Sequence, residues 1–121
     1  MPKKKILVVD DDPSICKAVR LIFDKEGFDV LETQTLTECL KILKNEKPDV
    51  VLLDILMPKM VGTWALKSIK ESFPKAKVIM LTVIGTDFHK QMSKKLGAVD
   101  YITKPFDNKD LVRRVKKVIG K

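Results

Sequence analysis

Five short apolar runs alternate with five amphipathic segments along this chain of 121 residues, and this alternation constrains its fold more than any other feature. We predict strands at residues 5–9, 29–32, 49–53, 77–81 and 99–102, with a helix after each of them. The first and third runs are apolar at almost every position, which is typical of strands buried on both faces. Strands that alternate with helices favour a parallel sheet covered by helices on both sides.

Boundary signals support the predicted helices. Gly27 ends the first helix, and Gly97 closes the fourth. The capping box from Thr35 to Glu38 begins the second helix, which ends before Pro48. Residues 57–62 are predicted as a loop, followed by a helix over 63–72 that begins near Trp64, which we interpret as a packing or boundary residue. The length and this rhythm predict one domain over residues 1–121, with no output domain in the chain.

Polar side chains follow four of the five predicted strands. Asp10 and Asp11 follow the first strand, Asp54 the third, Thr82 the fourth and Lys104 the fifth. In open parallel sheets, ligands bind at the carboxyl ends of the strands, so these groups are candidates for one site.

Oxygen ligands without histidine or cysteine suit Mg²⁺, or alternatively Mn²⁺, and a carboxylate beside such a metal is a possible nucleophile towards phosphorus. A lysine and a threonine nearby would stabilise a transferred phosphoryl group by charge and hydrogen bonding. The alternative is a purely structural role, in which the acids cap the N-termini of helices. We assign that capping role to Asp12.

Several classes of protein are disfavoured by the composition. No apolar run has the length of a membrane span, and the first apolar run is too short for a signal peptide. Cys16 and Cys39 form no close-spaced motif and are interpreted as reduced core or boundary thiols of a cytoplasmic protein. His89 is the single histidine, and no nucleophile motif accompanies it.

Four motifs in order resemble the receiver domain of two-component response regulators, in its single-domain form similar to chemotaxis response regulators. They are VVDDDPSI at 8–15, LLDILMP at 52–58, LT at 81–82 and YITKPF at 101–106. The resemblance implies a flavodoxin-like, doubly wound (βα)5 fold with strand order 2-1-3-4-5. It implies a phosphoacceptor switch that assists its own phosphorylation and dephosphorylation, and not a turnover enzyme.

The resemblance also assigns roles to single residues. Asp54 corresponds to the phosphoacceptor, and Lys104 to the lysine that pairs with the phosphoryl group. The metal ligands correspond to Asp10, Asp11, Asp54 and the backbone carbonyl of Leu56.

Two further residues correspond to the family's switch. Phosphorylation would draw Thr82 inward, and the side chain of Tyr101 would rotate into the space that Thr82 vacates. This change would remodel the face formed by the fourth helix, fifth strand and fifth helix. The bond between Lys104 and Pro105 is expected to be cis.

The sequence departs from the family pattern near the acceptor. Val83 follows the switch threonine, where the family usually has a small residue, and Val61 replaces a polar residue. One alternative is therefore a poorly phosphorylated receiver. The apolar Leu56 and Ile84 flank the site, and we hypothesise that they exclude attacking water and give a long-lived aspartyl phosphate.

Charge is distributed unevenly. Residues 1–60 carry 10 basic and 11 acidic side chains, whereas residues 61–121 carry 14 basic and 5 acidic ones. Eight of the basic residues lie on the last two predicted helices: Lys90, Lys94, Lys95, Lys109, Arg113, Arg114, Lys116 and Lys117. We expect partners to be a sensor histidine kinase or phosphotransfer protein and a downstream protein, which is acidic if this charge serves more than solubility. Direct DNA binding is disfavoured because no base-reading motif remains.

Two rival functions belong to other classes. Asp10-x-Asp12 superficially fits a small phosphatase similar to haloacid dehalogenases, but no late acidic pair follows it. A flavin-binding electron carrier of the same strand order would need a phosphate loop after the first strand, where the three aspartates would repel phosphate.

Overall fold

A computed structural model of the chain describes residues 3–57 and 60–120, and all of their side chains except those of residues 56, 57 and 60–62. The sheet strands are β1 (Lys5–Val9), β2 (Asp29–Thr33), β3 (Val50–Leu53), β4 (Val78–Thr82) and β5 (Asp100–Thr103). The helices are α1 (Pro13–Lys25), α2 (Leu36–Glu46), α3 (Gly62–Ser72), α4 (Asp87–Lys95) and α5 (Asn108–Ile119). Within these ranges no helix is long and apolar enough to cross a bilayer.

The five strands form one parallel sheet in the order β2-β1-β3-β4-β5, which confirms the predicted doubly wound α/β fold. Strand β1 pairs with both β2 and β3, and Val9 lies opposite Leu53. This register brings the residues that follow β1 and β3 to the same edge of the sheet.

Alternating side chains of the strands pack into separate apolar clusters on the two faces of the sheet. On β1, Ile6 and Val8 face α1 and α5, whereas Leu7 and Val9 face α2 and α3. All four side chains are fully buried. The strand is apolar throughout because each of its faces is covered by helices.

Local signals begin and end the helices much as the sequence predicts. The Asp12 carboxylate accepts a hydrogen bond from the Ser14 amide at 2.9 Å and caps α1, as predicted. Thr35 caps α2 by accepting from the Glu38 amide at 3.2 Å. Cys16 and Cys39 are free and buried, so of the predicted core or boundary positions both occupy the core. Burial raises the pKa of Cys16 to about 11 and that of Cys39 to about 12.

The structure differs from the predicted elements in three places. The predicted loop at 57–62 contains a two-residue antiparallel ladder between 56–57 and 60–61, and α3 begins at Gly62. Trp64 is 65% exposed, so of the two interpretations offered for it, packing or boundary residue, the first is wrong. On α4, Phe88 and Met92 have the spacing of a buried helix face, yet they are 66% and 40% exposed.

Candidate functional site

The ends of β1 and β3 bring three carboxylates together. Asp10 and Asp54 directly follow these paired strands, and the Asp54 amide donates to the Val9 carbonyl at 3.1 Å. One carboxylate oxygen from each of Asp10, Asp11 and Asp54 lies within 4.8 Å of the others. Asp10 and Asp54 are buried and Asp11 is not, so the cluster opens to solvent on the side of Asp11. This oxygen-only set is the kind that holds Mg²⁺.

Lys104 brings positive charge into this cluster from β5. Its ammonium donates to Asp10 Oδ2 at 2.7 Å and to Asp54 Oδ2 at 3.1 Å. The Lys104 side chain is only 11% exposed. Burial alone would lower the pKa of Lys104, but the hydrogen bonds and charges of the two aspartates together raise it. The lysine is therefore protonated at neutral pH and is held within reach of any group bound to Asp54.

Asp10 has a second function in the local structure. Its Oδ1 accepts a hydrogen bond from the Asp12 amide at 3.0 Å while its Oδ2 accepts from Lys104. Burial raises the pKa of Asp10 above its usual range, although Lys104 and the Asp12 amide counteract that effect. Because burial disfavours the charged form of Asp10, a second cation nearby would stabilise that form.

Thr82 is the last residue of β4 and is fully buried. Its hydroxyl oxygen accepts from the Ile84 amide at 3.3 Å. The hydroxyl of Tyr101, on the neighbouring β5, donates to the Ile84 carbonyl. The side chain of Tyr101 is partly buried, and burial together with the charge of Asp54 raises its pKa. Both predicted switch residues therefore contact the same residue of the segment that connects β4 to α4.

The remaining predicted features have different outcomes. The Lys104–Pro105 peptide bond is cis, as expected. Leu56 lies in the short antiparallel ladder, and its side chain is outside the described ones, so its role as a carbonyl ligand stays a prediction. The Val83 side chain is 60% exposed and is not wedged among the buried acids.

The predicted basic face is partly neutralised by local ion pairs. Arg113 pairs with Asp110, Arg114 pairs with both Asp110 and Asp100 at 3.1 Å, and Lys116 pairs with Glu26. Lys90, Lys94 and Lys95 on α4 have no ion pair within the described part of the chain. Lys109 and Lys117 on α5 likewise have no ion pair among the described residues, so the unpaired positive charge of this face comes from both helices.

Sequence reasoning missed two groups near α4. The Ile84 carbonyl is a backbone acceptor, and no side-chain motif marks it. Ser93 is buried, and its hydroxyl is the one buried side-chain oxygen or nitrogen without a hydrogen-bond partner among the side chains described. A small polar residue on the inner side of an amphipathic helix was the only signal available for it.

Comparison with known proteins places this geometry in a family. The family model described as the response regulator receiver domain matches residues 6–116. A curated relative, the alkaline phosphatase synthesis transcriptional regulatory protein PhoP of Bacillus subtilis, is 37% identical over 116 residues, which cover 96% of this chain and 48% of PhoP. The chain therefore spans about half the length of this relative.

Solved structures agree with that match. The CheY-like receiver domain protein of Methanospirillum hungatei is 34% identical with a TM-score of 0.91, covering 98% of this chain and 94% of that one. The BeF3-activated N-terminal receiver domain of Klebsiella pneumoniae RstA is 27% identical with a TM-score of 0.90, covering 98% and 91%. The acidic cluster, the lysine that bridges it and the strand order are thus found in a chain that belongs to the receiver domain family of two-component response regulators.

Proposed function

We propose that this domain is a phosphoacceptor switch in which Asp54 receives a phosphoryl group from a phosphohistidine of a sensor kinase or phosphotransfer protein. The observation that carries the proposal is the contact of Lys104 with both Asp10 and Asp54, at 2.7 and 3.1 Å. A carboxylate oxygen of Asp54 forms the new O–P bond while the N–P bond of the donor breaks, and the imidazole nitrogen that leaves takes up a proton. The phosphoryl group is transferred once to the protein itself, so we propose no turnover on external substrates.

Three carboxylates fit a divalent cation. Asp10, Asp11 and Asp54 would hold Mg²⁺, or Mn²⁺, together with the backbone carbonyl of Leu56. When bound, Mg²⁺ would neutralise charge on the phosphoryl oxygens and on the acids. The raised pKa of Asp10 supports this assignment, because a buried carboxylate is stabilised in its charged form by an additional cation.

Lys104 and Thr82 would stabilise the transferred group. Lys104 is already protonated and in contact with the acceptor, so it needs only a small movement to pair with a phosphoryl oxygen. Thr82 has a hydroxyl proton available for donation, since its oxygen accepts from the Ile84 amide. A phosphoryl oxygen that attracts this hydroxyl would compete with that loop contact.

The same contact suggests how phosphorylation would reach the surface. Thr82 and Tyr101 both bind Ile84, so movement of Thr82 alters the segment that positions α4. Two pre-existing arrangements of this segment would change in population when Asp54 is phosphorylated. The surface affected includes the exposed Phe88 and Met92 and the unpaired lysines of α4, which suit a downstream protein with apolar and acidic groups. We propose protein contact, in the cytoplasm, rather than direct DNA binding as the output of this domain.

The decisive experiment measures the intact mass after treatment with acetyl phosphate and Mg²⁺. We expect the wild type to gain one phosphoryl group and Asp54→Asn to gain none. Asp12→Asn is the matched control, because Asp12 is a neighbouring acid that only caps α1 and asparagine caps equally well. A phosphoryl group retained in Asp54→Asn, or lost in the control, would contradict the assignment. The alternative of a poorly phosphorylated receiver predicts no gain in the wild type either.

The lifetime of the aspartyl phosphate tests the role of the apolar flanking residues. We expect Leu56→Asn and Ile84→Asn each to hasten dephosphorylation, because a polar side chain admits and orients attacking water. Unchanged lifetimes in both variants would contradict this expectation. Release of phosphate from small phosphoesters by the wild type would instead support the rival phosphatase function.

A further inference from the structure

A groove lies at the end of the sheet opposite the acidic cluster, between the C-terminal ends of α2 and α3. Its volume is about 500 Å³. Its apolar floor consists of Leu43, Pro48, Phe73 and Ala76. Its rim carries three lysines, Lys44, Lys47 and Lys75. We call this surface the lysine-rimmed groove.

The groove has a one-sided charge. No acidic side chain among the described ones lines it, and all three rim lysines are exposed. None of them has an ion pair or a side-chain hydrogen bond within the described residues. By contrast, Lys5, the first residue of β1, pairs with Glu46 at 3.1 Å. The positive charge of the rim is thus available to a ligand.

The groove is also preformed. Lys70 donates to the carbonyls of Pro74 and Ala76, both at 2.7 Å, and so fixes the segment that follows α3. The same ammonium neutralises two carbonyl oxygens that would otherwise repel an anion. Side chains that are already held in place need little ordering when a ligand binds.

Lys47 adds a second kind of evidence. It follows α2 with φ 48° and ψ 60°, the left-handed conformation in which glycine is favoured. Among the described residues other than glycine, it is the only one with positive φ. The chain thus places a long cationic side chain at a position where the backbone alone would favour glycine.

We propose that the lysine-rimmed groove docks an acidic segment of a partner protein, with an apolar side chain of the segment on the floor and its carboxylates on the rim. A concave floor that accommodates single side chains fits a peptide better than a flat bilayer surface. The apolar floor and the absence of arginine from the rim also make it unlike a surface that binds nucleic-acid phosphates.

Docking here is independent of the proposed phosphorylation. Pro48 and Ala76 precede β3 and β4, whereas Asp54 and Thr82 lie at the other ends of those strands. The groove would therefore hold the domain near a partner whether or not Asp54 is phosphorylated. Failure of the Asp54 experiment would leave this proposal intact, and failure of this proposal would leave the phosphoacceptor assignment intact.

The test is an NMR titration of the amide resonances with a synthetic acidic peptide in which a Leu-Phe pair is flanked by glutamates. We expect shifts concentrated at residues 43–48 and 72–76, with an affinity that falls as salt is added. A peptide with Ser-Ser in place of Leu-Phe should bind more weakly, since it lacks the apolar anchor. Treatment with acetyl phosphate and Mg²⁺ should leave the affinity unchanged.

Charge variants separate the groove from the net charge of the protein. The triple variant Lys44→Gln, Lys47→Gln and Lys75→Gln should bind about tenfold more weakly, since one exposed ion pair changes an equilibrium roughly 1.5- to 5-fold. The matched control replaces three exposed lysines outside the groove: Lys17→Gln, Lys41→Gln and Lys67→Gln. This control should change the affinity less than twofold, because salt screens charges that do not contact the peptide.

Lys47→Gly distinguishes docking from a structural role of the lysine. Glycine adopts the left-handed conformation without strain, so the melting temperature should stay equal or rise while peptide affinity falls. The proposal is overturned if no shifts arise at the groove at millimolar peptide, or if the control triple variant weakens binding equally. It is also overturned if anionic phospholipid vesicles, a duplex oligonucleotide or a second copy of the chain occupies the groove more tightly than the peptide.

Discussion

Replacing Lys104 with methionine removes the ammonium group between Asp10 and Asp54 and retains a side chain of similar length. At an effective dielectric constant of about 20, charges 2.7 and 3.1 Å apart attract by roughly 6 and 5 kcal/mol before desolvation is counted. Desolvation of the buried lysine offsets much of this attraction. Breaking a buried pair typically lowers the free energy of unfolding by about 3–5 kcal/mol. Because the site is slightly exposed, we expect a loss at the lower end of this range, about 3 kcal/mol.

That loss corresponds to a large change in melting temperature. With an unfolding entropy of about 2.1 cal/mol/K per residue, a loss of about 3 kcal/mol lowers the melting temperature by about 12 °C. The measurement is thermal unfolding at pH 7 without divalent cations, followed by circular dichroism. Lys17→Met is the matched control, because Lys17 is an exposed lysine without an ion pair in the described structure.

Two further arms test the electrostatic cause. Mg²⁺ should stabilise Lys104→Met more than the wild type, because a bound cation then takes over the role of the missing ammonium. The deficit should also shrink as pH falls from 7 towards 4. Lys104 lowers the pKa of Asp10, so its removal raises that pKa further above the unfolded value. The folded variant then takes up a proton before its unfolded state does, and its stability rises relative to the control as pH falls. The reasoning is refuted if Lys104→Met has the same melting temperature as the Lys17→Met control and Mg²⁺ raises that temperature no more than it does in the wild type.

Three other predictions concern groups away from the proposed metal ligands. Ser93→Ala should raise the free energy of unfolding by about 1 kcal/mol or more in urea, because it removes a buried hydroxyl without a partner, and a loss of stability would reveal a missed hydrogen bond. Burial raises the pKa of Cys39 to about 12, so its native thiol should react with iodoacetamide at pH 8 only through unfolding. The neutral thiol stabilises the fold fully below pH 9, and this stability is lost as pH rises towards 12, so the wild type should lose more stability than Cys39→Val over that range. Tyr101→Phe should cost about 1 kcal/mol locally and speed amide exchange at residues 83–86 while Asp54 still accepts phosphate, and unchanged exchange would contradict the loop contact.

The sequence predicted the fold and the acidic cluster well, for physical reasons that apply to particular residues. The strands β1, β3 and β4 are buried along nearly their whole length and leave continuous apolar runs, and all five strands were located to within about one residue at each end. Asp10, Asp54 and Lys104 converge because each directly follows a strand of a parallel sheet, and strand ends in such a sheet meet at one edge. The Asp12 cap was likewise predictable, because capping is a local interaction.

Other features depend on which parts of the fold pack against a helix or strand. The residue pattern of that helix or strand does not encode its neighbours. The stripe of Phe88 and Met92 has the spacing of a buried face, yet it is exposed because the rest of the domain does not extend over it. The bond from Tyr101 to the Ile84 carbonyl uses a backbone acceptor, which leaves no trace in the sequence. The lysine-rimmed groove joins two helix ends that are about 30 residues apart in the chain, so its residues share no local motif.

The pair formed by Lys104 and Asp10 joins residues separated by 94 positions in the chain. During synthesis, the aspartates emerge long before the lysine that is to neutralise them, and β5 must pair with β4 before Lys104 can reach the cluster. A nascent or partly folded chain thus carries the proposed acceptor carboxylate without the ammonium that completes the cluster. Competence to be phosphorylated would then itself report completed folding, so that unfinished copies of the domain would stay silent in signalling.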